Sequence, residues 1–511
     1  MNSGKDTPAL DKKAIRSMII AELRENYPNF NRLPRQAKRQ IAEDACKEVR
    51  RVAKQGQLES PQLTQAERIG LGEIPAGVKT LEEMKRELQE HRQGFLQLQP
   101  PSRRNQLKDP VLRKMDEVLV DSFLDRLLAP TGMTPAKRTW MPSRLLRIEL
   151  LRTYRYPELT SRKYCSFLSE LDRKEERTFC HLSLRKNECP DHSLLSRFRS
   201  SLSMEMQINL MVFLLTFFLA DDFASEKTLY ALDSTDVAVP INNQPLAKLE
   251  LPGVGHIRLY ADLDCDCGKR RNKRNKSPMF VGYRIHTLCV IDVQRQYAFP
   301  VLSLAVAANH HDSQVLEPML ALAKAIGLDV RLLSLDEAYA NADQQKELLE
   351  EQKLIAVSTP KSKAKVPPDV DAKSGQVFCH EACEQAMTWC GYDSEAGGHC
   401  YRCEAEMGSC PFEQVCPKER TVQLDTGKFG PIPSSSPLSQ TVKDLRKVAE
   451  RPFNLLKHFD GVEPCRMKTQ TTFSAQMVFS QMIGLFKVMA ELRAQPKERG
   501  RPIQEELLAA S

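Results

Sequence analysis

The hydrophobic period of the chain changes near residue 227, and that change limits the folds open to it. Upstream, apolar residues recur at helical spacing. From "KTLYALDSTDVAVP" (227–240) through "MFVGYRIHTLCVIDV" (279–293) to "YAFPVLSLAVAA" (297–308), β-branched and aromatic residues predict three strands, the last two paired antiparallel. "DSQVLEPMLALAKAIGL" then reads as a helix, "LLSLD" as a buried strand ending at Asp336, "ANADQQKELLEEQ" as a helix and "LIAVSTPK" as a short strand. Three successive strands followed by alternating helix and strand predict a mixed α/β sheet. No G-x-G-x-x-G joins a strand to a helix, so nucleotide binding loses support.

The end of a buried strand is where open α/β sheets place their ligands, which makes Asp336 a candidate acid. The competing reading is that it caps the helix that follows. Asp233, in "YALDSTDV", lies 103 positions earlier on the first strand. If those strands are neighbours the two acids face each other, and two close carboxylates repel unless a cation lies between them. Hard oxygen ligands suit Mg²⁺. A satisfied strand-end acid is the alternative for Asp233, and Asp236 is a rival that falls beyond the expected end of the strand. A third acid comes from "KDLRKVAERPFNLLKHFDG", where Leu445, Val448, Leu456 and Phe459 make an apolar helix face. Arg446, Glu450 and Lys457 fall within roughly 40° of one another on such a helix. A solvated ion-pair stripe has the same spacing. Pro452 either kinks the helix or marks a new one starting near Arg451, with Glu450 at its cap.

Composition narrows the class. A chain of 511 residues holds roughly three domains. With 74 Lys and Arg against 66 Asp and Glu, the net charge of +8 tolerates a nucleic-acid partner without demanding one. The apolar run "LMVFLLTFFLA" (210–220) is shorter than the ~20 residues that cross a bilayer and reads as a buried helix, so no membrane is expected. The N-terminal residues lack the apolar core of a signal peptide, so a cytoplasmic protein with reduced cysteines is expected. Residues 1–99 read as a helical N-terminal region whose charged faces serve solvent, dimerisation or DNA. Residues 110–225 read as a second helical, DNA-binding region in which Arg recurs beside apolar residues.

Two segments stand apart. "CGKRRNKRNKSP" holds six cations, Lys269, Arg270, Arg271, Lys273, Arg274 and Lys276, with no acid to pair them. Such a run is either plain solvated charge or a phosphate contact, and its position beside the sheet favours the second. Residues 361–436 carry seven cysteines between 379 and 416. Cys400-x₂-Cys403 and Cys379-x₃-Cys383 have zinc-ligand spacing, and with Cys410 and Cys416 they are candidates for one structural Zn²⁺ that would replace an apolar core in this segment.

Together, "YALDSTDV", "LDEAYAN" and the Arg446, Glu450, Lys457 spacing resemble the DDE transposases of bacterial insertion sequences. "GYRIHTLCVID", "AANHHDS" and "HSLLSRFR" are similar to segments such enzymes carry. The R-x₃-E-x₆-K part of one group's signature is intact, while Lys443 stands where that group has Tyr. The resemblance covers roughly residues 140 to 490. It implies an RNase H-like catalytic domain, here 226–360 and 437–492, interrupted by the cysteine-rich insertion before the last catalytic helix. It also implies that Asp233, Asp336 and Glu450 hold two Mg²⁺ ions about 4 Å apart, that Arg446 and Lys457 grip phosphates, and that a homodimer acts at the nucleoid on element ends and target DNA. The missing Tyr removes support for a hairpin route of excision. Two other classes compete: a catalytically inactive DNA-binding relative, which predicts a defective triad, and an RNase H-like nuclease without strand transfer.

Overall fold

The computed structural model describes residues 12–54, 74–95, 106–133, 140–218, 229–251, 254–269, 279–292, 297–339, 341–358, 366–372, 374–379, 385–393, 398–404, 414, 416, 418–424, 429–430, 432–450, 452, 462, 467 and 469–492. Helices α1 (Lys12–Asn26) and α2 (Arg35–Lys54) open the chain, followed by α3 (Leu81–Phe95), α4 (Pro110–Val118), α5 (Asp121–Leu127), α6 (Pro142–Arg155), α7 (Ser161–Ser169), α8 (Lys174–Phe179), α9 (His192–Ser201) and α10 (Met204–Phe218). The first strand, β1 (Leu229–Ala238), leads to a hairpin of β2 (Ala247–Leu251) and β3 (Gly255–Leu259) and a short β4 (Asp266–Lys269). Long strands β5 (Met279–Asp292) and β6 (Tyr297–Ala307) precede α11 (Ser313–Ala325), β7 (Leu332–Leu335), α12 (Ala342–Gln352) and β8 (Ile355–Val357). The insertion holds β9 (Thr388–Asp393), β10 (Gly398–Arg402) and β11 (Glu419–Val422), and the chain returns through α13 (Pro437–Val448) and α14 (Gln470–Leu492).

The expected strands are present, but they are not consecutive: the β2–β3 hairpin and β4 intervene between the first and second. The main sheet runs β4-β5-β1-β7-β8, with β6 also paired to β5. β5 pairs antiparallel with β1 and β6, while β7 lies parallel to β1 and β8 parallel to β7. This is the RNase H-like mixed sheet. β7 lies beside the first four residues of β1, Leu229 to Leu232, and both four-residue stretches are buried, as a parallel pair requires.

Alternation along β1 divides two cores. Leu229 and Ala231 pack with Val442 and Leu445 of α13 on one face. Tyr230 and Leu232 belong to the larger core on the other face, which continues without a break through α3 to α10 and α14. Helix α14 touches β6, α6 and α10, so the upstream helices and the catalytic sheet share one hydrophobic interior. The described part of "LMVFLLTFFLA", residues 210–218, packs within it, and no single helix among the described residues is long and apolar enough to cross a membrane. A separate small core joins α1 and α2 to the β2–β3 hairpin through Ile15, Ile19, Leu23, Val49, Leu249 and Ile257.

Arginines in the upstream helices turn inward. Arg147, Arg152, Arg177 and Arg199 are each less than 5% exposed. Glu149, fully buried, accepts hydrogen bonds from Arg152 and Arg199. Arg152 reaches Gln476 Oε1 on α14 at 2.9 Å, and Arg199 reaches Ser161 Oγ at 3.0 Å. These cations are internal struts whose charge is already spent on protein partners, so they are not DNA contacts.

The insertion departs from expectation in one respect. It has an apolar core of its own, with Val370, Val377, Met387, Tyr401, Leu424 and Phe429 buried together, so a metal is not needed to replace one.

Candidate active site

Asp336 follows β7 immediately. Leu232 and Leu335 are register partners, so Asp233 and Asp336 occupy the next position on adjacent parallel strands, whose spacing is about 4.8 Å. The cap that competed for Asp336 is made instead by Asn341, whose Oδ1 accepts from Asp343 N at 3.2 Å. Asp336 is thereby left for other partners.

Asp233 continues the alternation of Leu229 and Ala231 and points toward α13. Arg446, in the last turn of that helix, donates from Nη1 to Asp233 Oδ2 at 3.0 Å and places Nη2 3.7 Å from Asp336 Oδ1. One guanidinium therefore lies between the two acids. Burial pushes Asp233 up to about 6, and the charges of Asp336 and Glu450 act in the same direction; the Ser234 N–H and Arg446 oppose them. Glu450 is thus electrostatically part of this group.

The helix does not carry all three signature residues on one face. α13 ends at Val448 and Ala449 caps it, so exposed Glu450 stands just beyond its end, in keeping with a break before Pro452. Lys457 lies outside the described residues. Lys443, where the signature has Tyr, is on α13 with its ammonium held below the usual lysine range by burial.

Asp236 is not beyond the strand but inside it. Its offset from Asp233 is odd, so it emerges on the opposite face, where Arg284 donates to it at 2.9 Å and to Asp312 Oδ1 at 2.9 Å. On that same face His286, which is fully buried, has its Nδ1 2.6 Å from the Tyr339 hydroxyl. Burial holds this imidazole well below its ordinary value, so it is neutral. Tyr339 N donates to Asp336 O at 3.0 Å, which closes the turn carrying the second acid. The four supporting residues Arg284, His286, Asp312 and Tyr339 were not singled out from the sequence. Period-two alternation along "GYRIHTL" was the available signal, since it puts Arg284 and His286 on one face.

Of the basic run, Lys269 is exposed at the end of β4, and Arg270, Arg271, Lys273, Arg274 and Lys276 lie outside the described residues. Of the cysteines, Cys379 is buried in the insertion core and Cys403 and Cys416 border it. Cys400 lies on β10 with its Sγ 3.7 Å from Thr421 Oγ1. Cys383 and Cys410 are outside the described residues. Among the described residues no three His, Cys, Asp or Glu side chains are gathered closely enough to share one metal ion.

Known proteins agree with this geometry at the level of family. No curated protein matches the chain at a significant level. Among solved structures, one similar chain is the piggyBac transposase in a cryo-EM synaptic complex with hairpin DNA, at 12% identity and a TM-score of 0.29 over 80% of this chain and 86% of that one. The family model described as Transposase DDE domain matches residues 224–484, just over half of the chain and the whole stretch from Asp233 to Glu450. The protein belongs to the DDE transposase family.

Proposed function

We propose that the protein binds the ends of a bacterial insertion sequence, cleaves them and joins the 3′ ends to target DNA, with Asp233, Asp336 and Glu450 as the catalytic acids. The observation that carries this reading is the register of Asp233 and Asp336 on neighbouring parallel strands, with Arg446 between them. The chemistry of the donors suits Mg²⁺, since all three are carboxylates, while Arg446 holds the place between Asp233 and Asp336 and the three acids are not gathered around one point. Bound there, Mg²⁺ would supply Lewis-acid stabilisation of charge at the scissile phosphate. Asp233 keeps its position because it stands within β1, paired with Thr287 of β5, and Asp336 because it follows β7 directly. Arg446, on the final turn of α13, exchanges its acid partners for a DNA phosphate, and Lys457 holds a second one. A homodimer at the nucleoid is the acting form, since two element ends are processed in one event.

Incubating full-length protein with end-containing duplex, target plasmid and Mg²⁺ tests this. A nick at the end followed by a joined product is expected. Nicking without joining leaves a nuclease, and end binding with neither leaves a regulator.

Neutralising Lys269, Arg270, Arg271, Lys273, Arg274 and Lys276 together is expected to weaken DNA binding and flatten its dependence on log salt by several units of slope, since each phosphate contact contributes about 0.9. An unchanged slope would mean that the run only meets solvent.

A structural Zn²⁺ in the insertion, held by a set drawn from Cys379, Cys383, Cys400, Cys403, Cys410 and Cys416, is supported by the ligand spacings Cys379-x₃-Cys383 and Cys400-x₂-Cys403. Elemental analysis of protein purified reduced and without chelator is expected to give about one zinc per chain, falling in Cys403→Ser while cleavage still requires Mg²⁺. Protein free of zinc would remove this site.

A further inference from the structure

We infer that helix α2 and strand β2 form a second DNA-backbone surface, on the module built by residues 12–54 and the β2–β3 hairpin. The inference rests on the reading of the protein as one that acts on DNA. Residues 12–54 hold twelve lysines and arginines against five acids, a net charge of +7, where the entire chain carries +8. Nearly all of the protein's charge excess is therefore concentrated in a segment that lies outside the stretch matched to the transposase domain.

Part of that charge is used to dock the module. Arg16 donates to the carbonyls of Leu263 and Cys265 at 2.9 and 2.8 Å and Arg24 pairs with Asp264, while buried Lys38 is used inside the module, donating to Asn31 O at 2.9 Å. Other cations face outward. Arg35, Arg39, Lys47 and Arg50 are exposed and recur along one side of α2, at the three- and four-residue spacing that lines up side chains on a helix. They span about 22 Å of helix axis, a length over which duplex DNA presents on the order of ten phosphate charges.

A groove of about 410 Å³ runs beside this stripe, walled by Arg39, Lys47 and Arg50 of α2 and by Lys248 of β2, with Glu43 as an acid in its wall. Arg39 pairs with Glu43 at 2.9 Å and Lys47 with Asp44 at 2.9 Å. Such exposed pairs are weak and screened by salt, so a phosphate replaces the carboxylate with no buried charge left behind. The small core beneath, which ties α1 and α2 to the β2–β3 hairpin, keeps the two walls in fixed relation. Phosphate contacts carry no sequence information, so the surface positions DNA and does not select it.

The test combines Arg39→Gln, Lys47→Gln, Arg50→Gln and Lys248→Gln in the full-length protein, all at exposed positions, with the unfolding midpoint as a check that the fold is intact. Binding is measured to two duplexes of unrelated sequence over a range of KCl. The slope of log affinity against log salt is expected to fall by about 3 to 4, from about 0.9 per lost contact, and affinity to fall by the same factor on both duplexes. A variant that keeps the wild-type slope overturns the inference while leaving the transposase reading intact. Wild-type protein with no salt-dependent binding to any duplex overturns both. If the substitutions abolish binding to polyglutamate but leave duplex binding unchanged, the surface belongs to an acidic protein partner instead and the inference fails.

Discussion

Asp233→Asn, Asp336→Asn and Glu450→Gln are each expected to lower end cleavage on the order of 10³-fold or more, with end binding nearly unchanged. An amide keeps the shape of the carboxylate and loses the charge, so the effect isolates the electrostatic role. Asp233 and Asp336 are adjacent in register, and Glu450 already raises Asp233, so removing any one charge changes the field at the other two. Asp236→Asn is the internal control. Its carboxylate lies on the opposite face and is held by Arg284, which keeps Asp312 as a partner, so cleavage is expected to stay within about tenfold of wild type, a difference of roughly 1.4 kcal/mol. Gel-based cleavage of a labelled end reads all four. A triad variant that cleaves at a near-normal rate takes its residue out of the site.

The second large effect is structural. Glu149→Ala is expected to cost about 3–5 kcal/mol, because it leaves Arg152 and Arg199 buried without a counter-charge. Burial alone would raise the Glu149 pKa, but Arg199 and Arg152 hold it below the usual carboxylate range. A group depressed in the folded state contributes stability that is full above its unfolded value, about pH 4.3, and that is lost as pH falls through the lower folded value. Urea midpoints of wild type and variant near neutral pH and in acid check both points: the gap is wide near neutrality and narrows in acid. A gap under about 1 kcal/mol at neutral pH would mean that the network is not a strut.

The catalytic sheet was legible because its strands obey the simplest rule, period two or continuous burial. β5 and β6 have fourteen and eleven residues, long enough for the pattern to stand out. β2, β3 and β4 have five, five and four, and although β2 alternates apolar and charged residues, the pattern is too short to stand out from loop in the sequence. Asp336 was legible as a strand-end acid; Asn341 as the true cap was not distinguishable until the turn was seen. Glu450 was found through spacing, although the continuous helix that the spacing assumes ends two residues before it. The inward arginines could not be read at all. "RLLRIELLR" places charge among leucines, and the same letters fit an exposed stripe or a buried network. What decides between them is Gln476, 324 positions from Arg152 along the chain.

The most direct test of a metal-assisted phosphoryl transfer centred on Asp233 and Asp336 replaces a non-bridging oxygen of the scissile phosphate with sulfur and compares metals. Wild-type protein is expected to cleave the normal end in Mg²⁺, to lose most activity on the sulfur-substituted end in Mg²⁺, and to regain it in Mn²⁺, which accepts the softer ligand more readily. Cleavage that persists in excess chelator, or that ignores the sulfur in both metals, would contradict the account.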